Sequence, residues 1–114
     1  MTLGAKQELF TQLVAKLIQR AAELGFGVRF GEAWRPPETA RLFAQKGIGS
    51  STSLHTDRLA IDLLLFKDGR YLTHSEDYAP LGAYWKSLHP LARWGGDFRR
   101  ADGNHFSLEH GGRA

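Results

Sequence analysis

Residues 59–66 read Leu-Ala-Ile-Asp-Leu-Leu-Leu-Phe, a nearly unbroken apolar run with one acid, Asp62, inside it. An apolar run of this length is the strongest strand signal in the chain. A carboxylate inside such a strand is costly to bury unless something compensates it. The compensating group is either a cationic side chain or a metal ion. Whatever the fold, it has to bring one of these to the middle of this strand.

The flanking segments supply the rest of the architecture. In residues 6–24, Leu9, Phe10, Leu13, Val14, Leu17, Ala21 and Leu24 recur at helical spacing, opposite Lys6, Gln7, Lys16, Gln19, Arg20 and Glu23. This predicts an amphipathic core-packing helix stopped by Gly25. Residues 27–33 read as a short strand with Val28 and Phe30 on one face. Arg35-Pro36-Pro37 then forces an extended turn, because proline disfavours the α region for its predecessor. A short helix is expected over 38–45, and a Gly/Ser/Thr-rich loop over 47–53. Lys67-Asp68-Gly69-Arg70 predicts a hairpin turn leading into Tyr71-Leu72. A helix over 77–88, a loop over 93–102 and a last strand over 104–109 complete the expectation. Helices and strands do not alternate regularly, so the class is α+β.

At 114 residues, 42% of them hydrophobic, the chain suits one domain with one modest core, spanning 1–114. The net charge of +3 attracts anionic partners but is not clustered into a stripe. A nucleic-acid role is therefore disfavoured. Arg99-Arg100 is the one adjacent basic pair. No apolar run approaches the roughly 20 residues of a membrane span. The first residues lack a basic segment followed by an apolar core, so the expectation is synthesis in the cytoplasm. With no cysteine, any metal site has to use histidine and carboxylate ligands.

His55 lies seven positions before Asp62, where a loop leading into the strand can fold it back beside the acid. Asp102-Gly103-Asn104-His105-Phe106 places another histidine on the last strand, with an acid three residues before it. Catalytic zinc takes three protein ligands and keeps one position open. His55, Asp62 and His105 satisfy that count, and Asp102 is available as a general base for the attacking water. Each residue has a plainer reading. A single histidine is usually a surface or satisfied core group, Asp62 can pair with arginine, and Asp-Gly-Asn is a good turn sequence. His110 is a competing third ligand, and His74 and His89 read as surface residues.

Ser53-Leu54-His55-Thr56-Asp57-Arg58-Leu59-Ala60-Ile61-Asp62 resembles the Ser-x-His-x-x-Gly-x-Ala-x-Asp motif of the zinc D-alanyl-D-alanine carboxypeptidases. That family includes the vancomycin-resistance D,D-dipeptidases and phage L-alanyl-D-glutamate endolysins. Trp94-Gly95-Gly96-Asp97-Phe98 with Asp102–His105-Phe106 resembles its second block, and Glu32-Ala33-Trp34-Arg35-Pro36-Pro37-Glu38 its upstream Arg-containing segment. The resemblance covers residues 32–109. It implies a Hedgehog-like fold, a central antiparallel sheet with flanking helices, and one zinc. By the same resemblance His55, Asp62 and His105 are ligands and Asp102 is the base. Arg35 then helps bind substrate, against a plain salt bridge to Glu32 or Glu38. Ser53 either hydrogen-bonds substrate or supports the His55 loop. Arg58 departs from the motif's glycine, so either the loop differs or Arg58 lines the cleft. Trp34 and Trp94 are expected to wall that cleft, and Trp85 to lie in the core.

The implied activity is cleavage of the L-Ala–D-Glu bond of the peptidoglycan stem peptide by a monomeric, phage-type endolysin. Such a lysin reaches the periplasmic cell wall after release from the cytoplasm. The alternatives are a D-Ala-D-Ala carboxypeptidase or dipeptidase, and a non-catalytic wall-binding module on the same fold.

Overall fold

The computed structural model describes residues 1–49 and 52–114. The expected loop over 47–53 therefore includes Ser50 and Ser51, which lie outside the described residues. The first helix, α1, spans Leu3–Glu23. It starts earlier than expected because the Thr2 side chain accepts a hydrogen bond from the Ala5 N–H at 3.1 Å and caps its first turn. Gly25 follows at φ +86°, a left-handed stop.

Strand β1 covers Gly27–Phe30. The regular strand ends there, yet its contact with the next strand continues. The Gly31 N–H donates to the Asp62 carbonyl at 2.8 Å, and the Asp62 N–H donates to the Glu32 carbonyl at 2.9 Å. Helix α2, Pro37–Gln45, begins on its proline, where no N–H is needed. A 3₁₀ turn, Leu54–Asp57, leads into β2, Ala60–Lys67. Lys67 and Arg70 pair across the tight turn to β3, Arg70–Tyr71. The helix expected over 77–88 is a 3₁₀ turn, Ser75–Tyr78, continued by α3, Ala79–Leu88.

One expectation fails. The loop predicted over 93–102 hides a strand, β4, over Ala92–Trp94, which pairs with β5, His105–Leu108. Three residues carry too little periodicity to register locally, and it is β5 that makes them a strand. The antiparallel sheet runs β1-β2-β5-β4, with β3 paired to β2.

The buried side chains of α1 and α3 meet those of the sheet in one core. Leu17, Leu63, Leu65, Leu81, Trp85, Phe106 and Leu108 are all fully buried. Phe10 meets the Trp85 ring edge-on at 5.7 Å. The Trp85 indole N–H donates to the Ser107 carbonyl, tying α3 to β5.

Arg58, at the motif's glycine position, sits at φ +57°, ψ 34°. The positive φ is thus adopted by a side chain that pays for it with left-handed strain, and the guanidinium stacks over Trp34 at 4.3 Å. Arg58→Ala and Arg58→Gly lose the same stacking, so comparing them isolates the backbone. The glycine variant is expected to be the more stable by about 1 kcal/mol in urea denaturation.

Candidate metal centre

Asp62 and His105 face each other directly across β2 and β5. Opposed residues on paired strands share a face, so strand pairing alone brings these two side chains together. His55 arrives from the 3₁₀ turn. There the Ser53 hydroxyl accepts from the His55 N–H at 3.2 Å, and the His55 carbonyl accepts from the Arg35 N–H at 3.1 Å.

His55 Nε2 lies 3.4 Å from Asp62 Oδ1, and His105 Nδ1 lies 3.6 Å from the same oxygen. One donor atom from each residue falls within 4.8 Å of the other two, the one such group among the described residues. Both imidazoles are buried. Burial pushes the Asp62 carboxyl up, but the two imidazoles outweigh it and hold its pKa at about 2. Asp62 Oδ1, His55 Nδ1 and His105 Nε2 are nonetheless buried without a hydrogen-bond partner among the described residues. A buried carboxylate oxygen facing two imidazole nitrogens, with its hydrogen-bonding capacity unspent, is a donor set that fits a divalent cation.

The three side chains open into a cleft of about 370 Å³ that Arg35, Ser53 and Asp102 also line. Asp102 leads into β5 through a turn held at several points. Its N–H donates to the Gly95 carbonyl at 2.9 Å, and its carbonyl accepts from the His105 N–H at 3.1 Å. Gly103 is tied by its N–H to the Ser75 hydroxyl and by its carbonyl to the Trp94 indole. Partial burial, then the charge of Asp62, raises the Asp102 pKa, and the two imidazoles offset only part of this. Arg35 borders the cleft and is paired as well, donating through Nε and a terminal nitrogen to the two oxygens of Glu32.

Gly95 sets the spacing of this turn. A Cβ there would stand 2.0 Å from the Asp102 carbonyl oxygen and 2.8 Å from His105 Cβ. Gly95→Ala therefore has to displace backbone, and a loss of about 2 kcal/mol or more is expected in thermal or urea unfolding. Retained stability would mean that the turn relaxes freely.

Several other expectations move. Arg58 and Trp34 do not line this cleft. They border a separate apolar groove between α1 and β2, with Phe30 and Ile61. Trp94 is buried, packed on Gly82 and Gly96, and does not line the cleft either. His110 stands outside the group, its Nδ1 3.2 Å from Lys6 Nζ. His74 is exposed, whereas His89 is half-buried and its Nδ1 accepts from the Leu91 N–H at 3.0 Å. The cleft walls that sequence reasoning missed are Phe98, whose ring lies 5.3 Å from that of His105, and Arg113. Arg113 donates to the Thr52 carbonyl at 3.0 Å and to the Asp57 carboxylate at 2.6 Å. Phe98 closes the Trp94–Phe98 block, where nothing local says that its ring faces the cleft, and no pattern marks Arg113.

Residues 46–108, more than half of the chain, match the profile of the D-alanyl-D-alanine carboxypeptidase family of peptidases. The chain belongs to this family. The fold is similar to that in the crystal structure of the Serratia marcescens L-Ala D-Glu endopeptidase ChiX, at 22% identity and a TM-score of 0.70. The likeness covers 87% of this chain and 79% of that one. It bears out the α+β fold with a central antiparallel sheet. No curated protein sequence matches the chain significantly.

Proposed function

We propose that this chain is a zinc peptidase that hydrolyses the L-Ala–D-Glu bond of the peptidoglycan stem peptide. The observation that carries the reading is the convergence of His55, Asp62 and His105 on one point beside Asp102, in an open cleft of a peptidase-family chain. His55, Asp62 and His105 would hold the ion, which supplies Lewis-acid polarisation of the scissile carbonyl. Asp102 takes a proton from the attacking water and returns it to the leaving amine. The Arg35 guanidinium, oriented by Glu32, offers paired donors to a peptide carbonyl or carboxylate. Ser53 keeps the His55 turn in place and contributes a hydroxyl to the cleft wall. The fold likeness to an L-Ala D-Glu endopeptidase supports the choice of bond.

The matched family's own description favours a second reading, D-alanyl-D-alanine carboxypeptidase activity. Digestion of purified muropeptides followed by mass spectrometry separates the two. The first reading expects stem peptide released beyond L-Ala, and the second expects loss of a terminal alanine. Chelation is expected to stop either reaction and added zinc to restore it. Full activity after complete metal removal would overturn the mechanism.

A further inference from the structure

We infer that Glu32 is a positioning residue that fixes the His55 imidazole and the Arg35 guanidinium through a single carboxylate. The inference rests on the metallopeptidase reading above.

The backbone places Glu32 where it can do this. Its carbonyl accepts from the Asp62 N–H at 2.9 Å, and three residues later the Arg35 N–H donates to the His55 carbonyl at 3.1 Å. The segment from Glu32 to Arg35 is therefore fastened at one end to the strand that carries Asp62 and at the other to the turn that carries His55. The Glu32 side chain lies between them, half-buried.

Its two oxygens accept from Arg35, and Oε1 also stands 3.6 Å from His55 Nδ1. The other ring nitrogen of His55, Nε2, faces Asp62. To bind a cation, Nε2 has to present its lone pair, which leaves the ring proton on Nδ1. Nδ1 makes no hydrogen bond among the described residues, and Glu32 is the carboxylate it faces. A shift of about 0.5 Å brings that contact into hydrogen-bond range. A carboxylate behind a ligating imidazole holds the tautomer and the ring angle and raises the basicity of the ligating nitrogen.

The same carboxylate restrains the guanidinium that borders the cleft. Glu32 thereby ties metal binding to the orientation of a substrate-binding group. A simple i,i+3 ion pair with Arg35 would have no influence on the metal.

The test is zinc affinity, measured by competition with a chromophoric chelator, for wild type, Glu32→Ala, Glu32→Gln and Arg35→Ala. Glu32→Ala is expected to bind zinc about 10–100-fold more weakly. Glu32→Gln keeps one oxygen that can accept from His55 Nδ1 and a terminal Arg35 nitrogen, but it lacks the charge and turns an NH2 towards the Arg35 Nε–H; it is expected to weaken binding several-fold. Arg35→Ala is expected to stay within about twofold of wild type while raising KM on muropeptides. Unfolding of the chelated proteins separates this role from general stabilisation, which would lower the Tm of the metal-free variants and leave zinc affinity untouched. Wild-type affinity in Glu32→Gln, or in a folded Glu32→Ala, overturns the inference. A wild-type protein that binds no divalent ion overturns it together with the metallopeptidase reading. The expected affinity series in a protein that cuts no muropeptide supports the positioning role and overturns only the proposed reaction.

Discussion

Asp102→Asn is expected to lower muropeptide turnover by about 10²–10⁴-fold while leaving zinc content at the wild-type level. The metal stays because the three candidate ligands are other residues, and the turnover goes because the amide cannot accept the proton. The same substitution is expected to raise the Tm of the metal-free protein at neutral pH. Partial burial and then the Asp62 charge raise the Asp102 pKa in the folded state. A carboxyl with a raised folded-state pKa contributes stability at pH values below its unfolded pKa. That contribution is lost as pH rises through the folded value. At neutral pH the ionised side chain is therefore the unfavourable form, and asparagine removes it. Muropeptide turnover with metal analysis checks the first part, and calorimetry of the metal-free proteins at pH 7 checks the second. Undiminished turnover in Asp102→Asn would remove this residue from the chemistry.

Asp62→Asn is expected to lose zinc more severely than the roughly 10–100-fold that loss of a supporting partner costs. Metal analysis after gel filtration should find far less than one equivalent bound, with no activity recovered by moderate zinc supplementation. The metal-free wild type carries a second signature. Burial alone would raise the Asp62 pKa, but the two imidazoles depress it to about 2. A depressed acid stabilises the fold above its unfolded pKa of about 3.9, and the contribution disappears as pH falls towards 2. Chelated wild type should lose Tm across that acid window more steeply than Asp62→Asn.

What could be read in the chain and what could not divide along physical lines. The heptad-like stripe of α1 and the apolar run of β2 are local signals, and both elements form where the residues call for them. His55 and Asp62 lie close in sequence, and the cost of burying Asp62 already demanded a partner. The pairing of Asp62 with His105 depends on the register of two strands 43 positions apart. Spacing alone does not encode that register, and the family resemblance supplied it. β4 went unseen because its three residues become a strand only against β5. Arg113 and Phe98 reach the cleft by folding of the tail and of the 95–98 turn, and Glu32 reaches His55 through the continued β1–β2 contact. Trp34 and Trp94 misled because adjacency to a motif in sequence fixes where the backbone passes, not which side an indole faces. Arg58 is the reverse case: it neither lines the cleft nor gives up a left-handed backbone, holding at the motif's glycine position a conformation that its own side chain disfavours.

The tail has a practical side. Arg113 is fastened to the Thr52 carbonyl and to Asp57 in the His55 turn, and Ala114 borders the cleft itself. An affinity tag or fusion partner appended after Ala114 would emerge at the mouth of the site, beside the turn that carries His55. One attached ahead of Thr2 departs from the capped start of α1, where the Gln7 side chain donates to the Asp57 carbonyl of that same turn at 2.8 Å. A handle on either side is therefore best judged by zinc affinity before use.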